Sequence, residues 1–204
     1  LGNQVSVWLE SDLPTYHWFN RVPADRIGRY FDSLLVGVRR CLYDSSLETE
    51  AGAIEALDWP DGNRVVDLAQ ARLLPVRQAI GQYLSGHEVA AICEGLRAVT
   101  VTHGPELRGE AARLLDWVRD CLGECGKCTE CTALGADFRA EPADEAGRLG
   151  LHFEYGDERY FRWDRDADGK IAHIEARLGR GAESLATRVK PLAPEQEIAE
   201  ALFF

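Results

Sequence analysis

The chain has 204 residues, 46% of them hydrophobic, which is enough apolar content to bury an ordinary core without disulfide staples. Its formal net charge of −11 excludes a nucleic-acid binder, which needs a basic footprint to displace counterions, and disfavours docking on an anionic membrane. The same charge suits a basic protein partner, whose approach it would steer.

No apolar stretch approaches the roughly eighteen residues of a membrane helix. The opening "LGNQVSVWLESDLP" lacks the basic and apolar regions of a signal peptide, so a cytoplasmic location is expected. One domain spanning 1–204 is expected, with a mainly helical part over 1–120, a cysteine-rich loop over 121–147, and a β-meander with a terminal helix over 148–204.

Val5 to Leu9 reads as a short strand, and "PTYHWFN" as an aromatic turn. From Ala24, the residues Ile27, Phe31, Leu34, Leu35, Val38, Cys41 and Leu42 recur at helical spacing. A shorter helix is expected over Glu48 to Leu57, followed by a turn at "WPDGN". Val65 to Leu84 reads as a helix that Pro75 kinks or splits, and Gly86 to Ala98 as another. In "THGPELRGEAARLLDWVRDCL", Pro105 suits a first helical turn, and Leu107, Leu114, Leu115, Val118 and Leu122 line one face.

Beyond the cysteines the period becomes two. Leu149, Leu151, Phe153 and Tyr155 alternate with Gly150, His152 and Glu154. Arg159 to Trp163 is short and aromatic. Ala172, Ile174, Ala176 and Leu178 alternate with His173, Glu175 and Arg177. Joined by "GDE" and "DADG", these predict a three-stranded antiparallel meander. Pro194 to Phe204 reads as a closing helix. The expected class is α+β: a helical N-terminal part, a cysteine-rich junction loop, a three-stranded antiparallel meander and a C-terminal helix.

The sharpest chemical signal is "CLGECGKCTEC", which holds Cys121, Cys125, Cys128 and Cys131. Thiolates are soft, charged ligands, and a loop this rich in them is the usual way to hold zinc or an iron–sulfur cluster. Cys125-Gly-Lys-Cys128 has knuckle spacing, and Cys128-Thr-Glu-Cys131 repeats it. Zinc is the expected ion, bound by all four cysteines, or by three with Cys93 or His103 as the fourth ligand. The spacing of Cys121, Cys125 and Cys128 resembles the cluster motif of radical S-adenosylmethionine enzymes. That resemblance covers three residues and implies an iron–sulfur cluster, but there the motif follows the first strand of a large barrel, and here it follows a helix. "CGKC" also resembles a thioredoxin-type redox pair, which belongs at a helix start. Cys41 and Cys93 sit on apolar stripes and read as core.

"DRDADGKIAHIE" matches the calcium loop of an EF-hand, with Asp164, Asp166, Asp168, Gly169 and Glu175 at its main positions. Strand alternation after the loop opposes this. If 170–178 is extended, Glu175 lies roughly 20 Å from the turn and cannot close the site. "DADG" reads more simply as a hairpin turn.

H-E-x-x-H, G-x-S-x-G and P-loop motifs are absent, and the five histidines are scattered. The expected function is therefore protein–protein interaction by an acidic protein with structural zinc. An immunity or antitoxin protein that caps a basic toxin is one class that fits. The alternatives are an enzyme that uses the cysteine loop through an open metal site, a cluster or a redox thiol, and a calcium-dependent binding module. Glu141, Asp144 and Glu145 in "EPADEAG" are expected on an exposed loop, joined by Glu195, Glu197 and Glu200 in one acidic face.

Overall fold

β-Branched runs decide this fold. Val99-Thr-Val-Thr102 favours a strand because branched side chains pack well on a pleated surface, and it forms an interior strand of the six-stranded sheet. The computed structural model describes residues 14–31, 35, 37–48, 52–125, 135–166, 168–179, 181–189 and 192–203. In chain order the elements are β1 (Thr15–Phe19), α1 (Ala24–Arg29), β2 (Val38–Tyr43), β3 (Val65–Asp67), α2 (Leu68–Arg72), α3 (Leu74–Leu84), α4 (Val89–Cys93), β4 (Leu96–His103), α5 (Arg108–Cys125), β5 (Asp137–Pro142), β6 (Leu149–Tyr155), β7 (Tyr160–Arg165), β8 (Ile171–Arg177), β9 (Glu183–Arg188) and α6 (Pro194–Phe203). They fall into two units, Leu1–Ala71 with Pro194–Phe204, and Arg72–Ala193.

In the first unit β1, β2 and β3 form a parallel sheet in that order. Alternation along β2 feeds two clusters. Cys41 and Tyr43 join Phe19, Ile27 and Ile54, while Leu42 joins Leu68, Ala71 and Ala201. Both faces of the sheet are thus covered, as parallel strands require.

In the second unit a mixed sheet runs β5-β4-β6-β7-β8-β9. β4 and β5 are parallel, and all other pairs are antiparallel. α5 supplies the crossover that a parallel pair needs, and it packs on β4 and β5. Its buried residues Ala111, Leu114, Leu115, Val118 and Leu122 recur at helical spacing and meet Val99, Val101, Leu151 and Trp163 in one core.

The expected α+β arrangement is therefore corrected. β6, β7 and β8 are the middle of a six-stranded mixed sheet rather than a free-standing meander, and the N-terminal part contains four strands. The aromatic "TYHWF" is β1. The helical period from Ala24 ends at Arg29, because Val38–Tyr43 pairs through its main chain with both β1 and β3. The segment Glu48 to Leu57 holds turns at residues 52–56 instead of a helix. The expected helix from Val65 begins as β3, and Pro75 lies in the first turn of α3, so it starts a helix instead of kinking one. The expected helix over 86–98 stops at Cys93. Gly95 has φ +68°, a conformation that side chains resist, and β4 follows it. The strand expected over Val5 to Leu9 lies outside the described residues. No described helix is long and apolar enough to cross a membrane.

Candidate functional site

The six-stranded sheet has one core face and one polar face. Cross-strand partners share a face, so the register sets the polar one. Thr100 pairs with His152, His152 with Arg162, Arg162 with Glu175, and Glu175 with Ser184. One step along, Thr102, Gly150, Asp164, His173 and Ala186 form a parallel row. Glu154, Arg162, His173, Glu175 and Ala186 are exposed, so nothing covers this side of the sheet at those positions.

A polar cluster occupies the middle of the face. Asp164 Oδ2 lies 2.9 Å from His152 Nε2, and Asp164 Oδ1 accepts from Arg148 at 3.1 Å. The carboxylate leans over Gly150, where a Cβ would lie 2.6 Å from both Asp164 Oδ1 and Thr102 Oγ1. One strand over, His173 Nε2 is 3.1 Å from Asp166 Oδ1. Thr100 is only 4% exposed, and its Oγ1 has no hydrogen-bond partner among the described residues; Thr102 Oγ1 has none among them either. A buried hydroxyl without a partner is costly, and both of these are shielded from solvent beneath the face. Glu154 and Glu175 make no ion pair among the described residues. Arg139, by contrast, is engaged by Asp137 at 2.9 Å and Glu141 at 2.8 Å.

The first unit holds a crevice of about 680 Å³ at the carboxyl ends of β1 and β2, where open parallel sheets commonly receive ligands. Arg21, Asp25, Asp44 and Glu48 stand on its walls. Asp44 accepts from Ser46 N at 3.0 Å and Glu48 from Gly52 N at 2.8 Å, so these carboxylates brace the loops around the crevice.

Of the expected metal ligands, Cys121 is exposed near the end of α5 and Cys125 is the last residue of that helix. The Cys125 side chain, Cys128 and Cys131 lie outside the described residues. Cys93 is 1% exposed within the core, and His103 is buried with Nδ1 2.8 Å from Gly104 O, so neither faces outward as a fourth ligand. Cys41 is buried in β2, and burial pushes its thiol up to about 11. Among the described residues no group of three or more His, Cys, Asp or Glu is placed to hold a metal.

The segment with the calcium-loop pattern is a hairpin between β7 and β8. Asp164 is turned to His152 and Arg148, and Glu175 lies on β8 opposite Arg162. Glu141, expected on a loop, is in β5. Glu197 is buried, and Glu195, Glu197 and Glu200 belong to the other unit from Glu141, Asp144 and Glu145. The Thr100, His152 and Asp164 cluster was missed in the sequence. Its only signal was the polar half of each strand alternation, which does not say which strands are neighbours. No family model matches the chain, and neither does any curated protein or solved structure compared with it.

Proposed function

We propose that this protein works by binding another protein, one of basic character, and that the cysteine run holds a structural zinc ion. The observation that carries the first part is the open polar face of the six-stranded sheet. It spans strands β6 to β9 with exposed Glu154, Arg162, Glu175 and Ala186 around the His152–Asp164 pair. A rigid sheet presents such groups at fixed spacing, so recognition costs little ordering of the binder. The exposed carboxylates of Glu154 and Glu175, together with the net charge of −11, favour a cationic partner. An inhibitor of a basic toxin is one class of protein with this chemistry. The zinc reading rests on the spacing of Cys121, Cys125, Cys128 and Cys131.

The test is capture of partners from the native source by the full chain, at low and high salt, with wild type and a Glu154→Arg/Glu175→Arg variant. The expected result is a partner retained by wild type at low salt, weakened by salt and lost by the variant. Recovery of identical proteins by both chains at both salts would overturn the reading.

A further inference from the structure

Among the described residues the six-stranded sheet ends at β5 and β9, and the two edges differ. Edge β5 is blunted by Asp137, Arg139 and Glu141 and closes on Pro142, the usual protection against stray pairing. Edge β9 has no proline, and its register with β8 runs unbroken from Ile171↔Arg188 to Ala176↔Glu183. Val189 N donates to Lys170 O at 2.9 Å, which sets the phase of the ladder. Thr187, Leu185 and Glu183 therefore turn their main-chain groups to β8, while Ser184, Ala186 and Arg188 turn theirs to the open edge.

Beside this edge lies a groove of about 430 Å³ between β9 and α3. Its walls include Ala79 and Tyr83 from α3, Ile174 from β8, and Leu185, which is 49% exposed. Glu183 stands at the rim. Tyr83 Oη donates to Glu183 Oε2 at 3.0 Å, and His87 Nε2 is 4.0 Å away, so the carboxylate is held in place on the groove side.

We propose that the outer edge of β9 receives an extended segment of a basic partner protein as an added strand, whose alternate side chains enter the groove beside α3. Outward main-chain groups supply the pairing, and the groove supplies side-chain selection, the division of labour in strand-addition recognition. An added antiparallel strand places an apolar residue across from Leu185 and a lysine or arginine across from Glu183, on the groove side. This inference rests on the reading above that the chain binds a basic protein, and adds the backbone form of the segment and a second contact surface.

The probe is a fluorescent synthetic peptide of repeating Ser-Val-Ser-Arg, which sets valine and arginine two residues apart on one face, titrated by anisotropy against the full chain. Wild type should bind it saturably. Ala186→Pro removes one outward N–H at an edge position that tolerates proline, so it should weaken binding about tenfold with little change in melting temperature. Glu183→Arg, which leaves the strand backbone untouched, should weaken the valine–arginine peptide and favour a valine–glutamate one. Lack of saturable binding by wild type, or binding by Ala186→Pro and Glu183→Arg as tight as that of wild type, would overturn the proposal. Self-association of wild type abolished by Ala186→Pro would overturn it too, assigning the edge to a second copy. Loss of peptide binding in Glu154→Arg/Glu175→Arg but not in the β9 variants would overturn strand addition while leaving the sheet-face reading standing.

Discussion

His152 Nε2 sits 2.9 Å from Asp164 Oδ2, on adjacent strands and diagonal in register, with Arg148 closing the other carboxylate oxygen at 3.1 Å. Burial opposes ionisation of Asp164, but the hydrogen bond with His152 and the charges of His152, Arg148 and Arg162 outweigh it and hold the carboxyl below its ordinary value. A depressed folded-state value contributes stability above the unfolded value, and that contribution is lost as pH falls through the folded one. Asp164→Asn should therefore cost about 1–2 kcal/mol at neutral pH and flatten the loss of stability in the acid range. Urea unfolding from pH 7 down to pH 3 checks this; parallel acid limbs for wild type and variant would contradict it.

Gly150 has no room for a side chain, because a Cβ would lie 2.6 Å from Asp164 Oδ1 and Thr102 Oγ1. The Asp164 carboxylate is held on both oxygens and cannot simply swing away. Gly150→Ala should destabilise the fold by about 1–3 kcal/mol, the range for overpacking. In the Asp164→Ala background the cost should shrink, and a double-mutant cycle by thermal unfolding measures that coupling.

Thr100→Val keeps the shape and the β-branching but removes a buried hydroxyl that has no partner among the described residues. Stability should rise by about 1 kcal/mol. Because that hydroxyl is shielded from solvent, capture of the basic partner should be unchanged, and a lower melting temperature for the variant would contradict the prediction.

Gly169 has φ +72° in the turn between β7 and β8. Gly169→Ala should cost about 1 kcal/mol in unfolding free energy. Because Asp164 and Glu175 are committed to strands, millimolar calcium should leave the melting temperature unchanged. A calcium-dependent rise abolished by Glu175→Gln would restore a calcium site here.

The purified chain should carry about one zinc per molecule, since closely spaced thiolates are costly to hold together without a cation. Cys125→Ser and Cys128→Ser should each lose the metal by elemental analysis. Four rapidly reacting thiols and no metal would remove zinc from the proposal.

The sequence by itself determined the elements whose pattern is long and local. The stripe Leu114, Leu115, Val118 and Leu122 records one buried helix face, and the alternation at Leu149–Tyr155 records one buried strand face. It also determined the cysteine run, the acidic balance and the glycine-bearing turn at Asp168-Gly169. Only the tertiary structure decided which strands are neighbours, because a period reports the side that meets apolar surroundings and not the identity of the partner. Val38–Tyr43, Val65–Asp67 and Leu96–His103 carry apolar residues on both faces, so their spacing does not separate strand from helix, and main-chain pairing with distant strands settled them. The same non-local pairing set Thr100 beside His152 and Asp164, and left β9 as an edge.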